Sequence, residues 1–401
     1  MSVGRSTQNL NLPEKWSRVR LEDVAVRATG HTPDKQKPVY WDGGIKWVSL
    51  ADSNKLDRPF IFETDKEISA EGIRRSSAKL LPTGTVVLLR DAAVGRSTIL
   101  GTSMAVSQHF VAWTCGERLN NRFLYYYLQS QKHYFERMAV GSTIVTIGMG
   151  LFRKLTIPLP PRSEQDRIAS LLADWDRAID LTELLIAAKQ ERRAWLMQQL
   201  LTGKLRLSER GKIWKEVRIG DFLSESRLPG TDGKTARKIT VKLYGLGVFA
   251  KTDVREGSEN TRYYSRRAGQ FIYSKLDFLN GAFGLVPNEL DGFQSTLDLP
   301  CFDVKKGLNP KFLFYFVSRE NFYTQFLGSA MGGRKARRVN PSEFLSIRIK
   351  LPEIEEQIAI VDAIGVFDRE IDLLRTKLDA LQEQKKGMMQ QLLTGKVRVK
   401  A

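Results

Sequence analysis

Cysteine is nearly absent from this chain of 401 residues. Cys115 and Cys301 cannot build a disulfide framework, and beside only three histidines they leave no zinc-binding pattern. Both read as small buried apolar residues. No apolar run approaches the roughly 18 residues of a membrane-spanning helix, so no membrane partner is expected. The opening MSVGRSTQNLNLPEKW lacks the apolar core of a secretory signal, which makes the cytoplasm the expected location. Acidic residues are also scarce, at 45 Asp and Glu against 63 Lys and Arg, for a net charge of +18.

What the chain has is a repeat. Residues 197–204, MQQLLTGK, recur letter for letter at 389–396. At the same offset, Leu159-Pro160 falls on Leu351-Pro352, Glu164-Gln165 on Glu356-Gln357, Asp176-Arg177 on Asp368-Arg369 and Ile179-Asp180 on Ile371-Asp372. A period this long means two copies of a whole module. Trp16, Val19 and Arg20 are mirrored by Trp214, Val217 and Arg218, so both copies also open alike.

The charge follows this plan. Residues 1–157 carry +8 and residues 206–350 carry +11, whereas 158–205 sum to zero and 351–401 to −1. Excess positive charge confined to two divergent segments suggests a polyanion contacted twice. Within those segments, short apolar runs broken by Gly, Pro and Asp predict strands at 85–89, 99–106, 239–244 and 271–274. The aromatic-rich runs 122–131 and 311–318 predict helices, the first starting near Asn120-Asn121.

The repeated segments read differently. No Gly or Pro interrupts 167–201, which predicts one helix with Ser163 as N-cap and Gly203 as its stop. The copy runs from Pro352 to Gly395, with Gly387 as a weak point inside it. Ile371, Leu374, Leu378, Leu381, Lys385, Met388 and Leu392 form a heptad seam. A weaker one matches it at Ile179, Thr182, Ile186, Lys189, Arg193, Leu196 and Leu200. Both helices, each about 60 Å long, run from acidic to basic. An antiparallel pair would set the acidic half of one against the basic half of the other, giving a rod with a basic domain near each end.

Partial catalytic motifs fail on inspection. Gly233-Lys234-Thr235 has the tail of a phosphate loop, but Leu228 stands where the first glycine is needed. Gly245-Leu246-Gly247 after a strand is better read as a tight turn than as a dinucleotide fingerprint. Asn309-Pro310 suits an N-cap followed by proline at the first helical position. Glu383-Gln384-Lys385 has nuclease-like spacing without a carboxylate cluster to hold Mg²⁺. Basic clusters are abundant instead: Arg74-Arg75 with Lys79, Arg262 with Arg266-Arg267, and Arg334-Lys335-Ala336-Arg337-Arg338. Such groups suit phosphate contacts, and Arg or Gln can read base edges.

On these residues the chain resembles the DNA-specificity subunits of type I restriction–modification enzymes. The signature is Ile157-Pro-Leu-Pro-Pro161, then Glu164-Gln165-Asp-Arg-Ile-Ala169, then the long helix closing on Gln199-Leu-Leu-Thr-Gly203-Lys204, with its second copy. Gly30-His-Thr-Pro33 with the run 40–48, and Leu81-Pro-Thr-Gly84 through Ser107-Gln108-His109-Phe110, resemble the family's first domain. The pattern departs at His109, where the family has glycine, and at Lys350 and Glu353 beside the second proline signature.

The resemblance implies an α+β chain. Two mixed α/β target-recognition domains, 1–157 and 206–350, would be joined by two long antiparallel coiled-coil helices, 158–205 and 351–401, in an internal pseudo-twofold repeat. It implies a split double-stranded DNA target, two methyltransferase subunits docked on the helices, and restriction subunits joining through the complex. S-adenosylmethionine, ATP and Mg would belong to those partners, with no cofactor, metal or catalysis in this chain. The residues expected at DNA are Arg74, Arg75, Arg90, Arg96, Gln108, Lys275, Arg334, Lys335, Arg337 and Arg338. A free-standing DNA-binding regulator or antirestriction factor is the other reading, and a fused methyltransferase a third that the missing motifs oppose.

Overall fold

The computed structural model describes residues 12–141, 145–207, 213–252, 258–325 and 338–399. The chain folds into two compact units, one from residues 1–183 and 377–401, the other from 184–376. No helix among the described residues is long and apolar enough to cross a membrane.

In the first unit the strands Ala25–Thr29, Phe110–Cys115, Val86–Leu89 and Ser97–Leu100 lie in that order, all antiparallel, with Phe60–Ile61 added in parallel at the edge. Val86–Leu89 is buried along its whole length, as its unbroken apolar sequence requires. A smaller sheet holds Glu67–Ile68, Trp41–Val48 and Ala105–Val106. The run expected as one strand over 99–106 is therefore two. Gly101-Thr102-Ser103 turns the chain out of the first sheet, and Met104 exchanges backbone hydrogen bonds with Leu81. The helix Asn121–Ser130 starts where expected, its first turn capped by the Asn120 side chain, which accepts from Phe123 N–H at 3.0 Å. Its Phe123, Leu124, Tyr125 and Tyr126 pack on the sheet beside Trp113, Phe135 and Phe152.

The second unit repeats this sheet with a different sequence. Leu223–Glu225, Cys301–Val304, Phe271–Tyr273 and Phe283–Leu285 take the same four places in the same antiparallel order. The helix Pro310–Val317 answers Asn121–Ser130, with Asn309 as its cap and Pro310 at its first position. The suspected nucleotide motifs dissolve here. Ile239–Lys242 and Gly247–Ala250 form a hairpin around a turn at Tyr244 and Gly245. The N–H groups of Lys234 and Thr235 donate to the Asp232 carboxylate at 2.9 and 3.0 Å, and so do not face a phosphate.

The long helices are Arg162–Leu201 and Ile354–Leu392. Ser163 is not the N-cap. The first helix starts at Arg162, and the Pro161 carbonyl accepts from Glu164 and Gln165 N–H at 3.0 and 3.1 Å. Gln165 ties this start down by donating to the carbonyls of Pro160 and Arg118, both at 2.9 Å. Both helices stop on a left-handed glycine, Gly203 at φ +72 and Gly395 at φ +75, whose N–H returns to the last turn. Every expected seam position in both copies is buried or half-buried.

Within each unit the helix segments run antiparallel with opposite charges facing. In the second unit Lys189 meets Glu370 at 2.7 Å and Arg193 meets Asp368 at 2.5 Å. In the first, Lys385, the cation inside the apolar seam, pairs with Asp176. Asp176 also accepts from Tyr126 Oη at 2.6 Å, as Asp368 accepts from Tyr315 Oη at 2.5 Å. Burial, followed by the neighbouring carboxylate, raises the pKa of both phenols, so they stay donors.

Candidate nucleic-acid interface

The repeated motif residues turn out to be joints. Glu164, 2% exposed, accepts from Trp16 Nε1 at 3.0 Å and from Arg398 Nε and Nη2 at 2.6 and 2.8 Å. In the second unit Glu356 accepts from Trp214 Nε1 at 3.1 Å and from Arg206 at 2.6 and 2.8 Å. Gln357 repeats Gln165, accepting from Asn309 N–H at 2.7 Å and donating to Pro352 and Gly307 carbonyls at 2.9 Å. Each opening strand, Ser17–Arg20 or Lys215–Arg218, pairs antiparallel with the strand that leads into a long helix. The Glu-Gln pair thus fastens each basic domain to its helices.

The residues expected at DNA fall into different situations. Arg74 and Arg75 lie at the end of the short helix Ala70–Arg74, exposed, and both fork onto Glu71, whose carboxyl their hydrogen bonds hold below its usual range. Arg96 is engaged inside its own unit. It donates to the Ser53 carbonyl at 2.6 Å and lies 3.8 Å from Asp57. Gln108 is exposed and accepts from the Thr32 hydroxyl. That joins it to the Gly30–Pro33 segment, where the His31 N–H donates to the Val106 carbonyl at 3.0 Å. The approach is so close that a Cβ on Gly30 would stand 1.8 Å from Val106 O.

Arg90 follows the buried strand Val86–Leu89. Its Nε has no hydrogen-bond partner and lies 3.5 Å from the carboxylate of Asp91. Asp91, 7% exposed, also accepts from Thr146 and stands 2.8 Å from His109 Nδ1. Arg90 N–H donates to His109 O at 2.9 Å, and Arg90 O accepts from Ile147 N–H at 2.9 Å. Gln108, His109 and Arg90 thus share one edge of the first unit.

In the second unit Lys275 follows the strand Phe271–Tyr273. Its N–H donates to Asp298 O at 2.9 Å and its carbonyl accepts from Val339 N–H at 3.2 Å. Arg338 is exposed and 3.6 Å from the Asp298 carboxylate, so these two expected residues come together. Arg334, Lys335 and Arg337 lie outside the described residues. The cluster around Arg262 divides. Arg262 is exposed, Arg267 pairs with Asp303 at 3.1 Å, and Arg266 belongs to the core. Arg266 is 0% exposed and donates to Ser295 Oγ at 2.7 Å and to the Ser226 carbonyl at 2.8 Å. Sequence reasoning missed this. The alternation Tyr263, Tyr264, Ser265, Arg266 gives no sign of which face is covered.

Comparison with known proteins follows the same duplication. Residues 13–189 and 212–383 each match the family described as the type I restriction modification DNA specificity domain. The type I restriction enzyme MjaVIII specificity subunit of Methanocaldococcus jannaschii is 24% identical, covering 99% of this chain and 96% of its own. The EcoprrI specificity subunit of Escherichia coli is 22% identical, over 87% of this chain and 86% of its own. Among solved structures, a chain from work on complex assembly and conformational transition of the type I R-M system superposes with a TM-score of 0.64. It is 16% identical and covers 97% of this chain and 100% of its own. The S subunit from M. genitalium gives a TM-score of 0.56 at 14% identity, over 97% and 98%. At these identities the structural matches speak for the fold.

Proposed function

Since this chain belongs to the type I restriction modification DNA specificity family, we propose that it reads a split, asymmetric DNA target, one half through each basic domain. The chain is a specificity subunit, a DNA-recognition subunit without catalytic activity of its own that assembles with other subunits of its complex. In the finer reading, residues 1–157 and 206–350 recognise the half-sites. The helical segments 158–205 and 351–401 set the gap between them and dock two methyltransferase subunits. Those partners would bring S-adenosylmethionine and methylate adenine flipped out of the duplex. Restriction subunits using ATP and Mg would join through them.

One observation carries this reading. The family match occurs twice, and each occurrence spans a basic domain fastened to the long helices by the same Trp–Glu–Arg joint. Two such domains of different sequence suit two different half-sites. A free-standing regulator gains no support from the relatives reported above. The test is genome-wide adenine methylation in cells carrying this chain with its methyltransferase, against cells lacking only this chain. A split motif present only with the chain is the expected result. An active methyltransferase giving the same methylation in both cells would overturn the reading.

A further inference from the structure

We propose that Arg90 and Lys275 are equivalent residues, each gripping a DNA phosphate and so fixing the register of its domain on the duplex regardless of base sequence. This rests on the function proposed above and adds a division of labour within it. The linear repeat does not pair these residues, because the helices repeat at an offset of 192 while Arg90 and Lys275 stand 185 apart. Only the topology pairs them. Each follows the strand that lies third in the matching four-strand order, Val86–Leu89 or Phe271–Tyr273. Each gives its N–H to the segment entering from one side, His109 O or Asp298 O at 2.9 Å. Each receives at its carbonyl from the segment that precedes the last short helix, Ile147 at 2.9 Å or Val339 at 3.2 Å. Backbone fixed on both sides aims the side chain without help from its own contacts.

The surroundings have diverged completely. Asp91, Gln108 and His109 flank Arg90, whereas Leu276, Leu297 and Asp298 flank Lys275. What survives at this position is a positive charge. Domains that differ at every neighbouring side chain cannot read the same bases, so a cation common to both serves what every half-site shares, the phosphate backbone. Among the described residues neither cation is tied to a backbone oxygen of its unit. Arg90 Nε is buried without a hydrogen bond and has the adjacent Asp91 carboxylate 3.5 Å away, and among the described residues no carboxylate lies within ion-pair distance of the Lys275 ammonium. Arg96 and Arg266, by contrast, are held by carbonyl and hydroxyl oxygens of their own units. The side chains that differ between the domains, Gln108 foremost, are left to read bases.

The experiment uses the complex of this chain with its methyltransferase. Target binding is titrated against salt, and the methylated motif is sequenced, for wild type, Arg90→Ala, Lys275→Ala and Arg90→Lys. Each alanine variant should bind about three- to tenfold more weakly and lower the salt slope by about 1, with the methylated motif unchanged. Arg90→Lys should keep most of the affinity, since a phosphate asks for charge, and it controls for a folding defect in Arg90→Ala. An unchanged salt slope in either alanine variant overturns the proposal. So does a motif relaxed at one base, which would make the residue a base reader. Absence of any split motif with the wild-type chain would instead count against the function on which the proposal rests.

Discussion

Replacing Asp176 by alanine should destabilise the first unit by about 3 kcal/mol. The carboxylate is 15% exposed, and its partner Lys385 is 19% exposed within an otherwise apolar helix seam. Truncation leaves that ammonium without a counter-ion and Tyr126 Oη without its acceptor at 2.6 Å. Breaking a buried pair on one side typically costs about 3–5 kcal/mol, and the residual exposure places this case at the low end. The equivalent Asp368→Ala should cost only about 1–2 kcal/mol, because Asp368 is 34% and Arg193 28% exposed and solvent replaces part of the loss. Replacing both partners, Asp176→Leu with Lys385→Leu, should recover most of that loss, since neither charge then needs desolvation and only the Tyr126 hydroxyl is left without its acceptor. Urea unfolding followed by tryptophan fluorescence reports this, as Trp16, Trp41, Trp47, Trp113 and Trp175 all belong to the first unit. With a slope of about 2 kcal/mol per M, Asp176→Ala lowers the midpoint by about 1.5 M. A double leucine variant as unstable as the single alanine variant would refute the reasoning, because stability would then come from the charges themselves. If it is stable, the pair serves helix register, and the double variant should blur the spacing of the methylated motif.

Deleting one heptad from each helix, residues 180–186 with 372–378, keeps the seam and both ion-pair registers. It removes about 10 Å of helix, and methylome sequencing should show the target gap shorter by about one to three base pairs with both half-sites intact. Altered half-sites would sink the ruler reading. Gly30→Ala forces a Cβ to within 1.8 Å of Val106 O, and the same urea assay should register a loss of about 1–3 kcal/mol. Gln108→Ala should relax one base of one half-site in the methylome and leave the salt slope of binding as it was, the opposite pattern to Arg90→Ala. Desolvation pushes the thiols of Cys115, which is half-buried rather than buried as expected, and of the buried Cys301 up to about 12, so at pH 8 both stay protonated. Iodoacetamide should modify them quickly only after unfolding; rapid labelling of the native protein would contradict the burial.

The elements legible in the sequence are those governed by local rules. The long helices follow from uninterrupted helix formers, the glycine stops from their place after the last apolar turn, and the caps at Asn120 and Asn309 from residue type. The antiparallel charge match was legible because the repeat puts acid and base at fixed heptad distances. Ser163 shows where such rules lose. A serine ahead of an apolar run resembles a cap, but the Gln165 side chain clamps Pro160 and draws the helix start back to Arg162. The candidate recognition surface stood out in the sequence as charge and not as geometry. Arg266 and Arg96 carry the same signal as Arg90, and only packing separates a guanidinium held by carbonyls from one that faces just the neighbouring Asp91 carboxylate. The correspondence of Arg90 with Lys275 depends on sheet order, which a changed offset hides from any alignment of the copies.

The joint at Glu164 also sets an order in time. Trp16 and Arg398 meet on that one carboxylate, and Leu392 and Leu393 sit in the same core as Ile168 and Leu172. The second unit is an uninterrupted run, 184–376. On the ribosome, the domain encoded second therefore has all its parts first. The domain encoded first must wait for some two hundred further residues, about 10–40 s at ordinary elongation rates. Through that interval Ile168 and Leu172 lack part of their covering, which makes the first unit the one that needs protection from aggregation during synthesis.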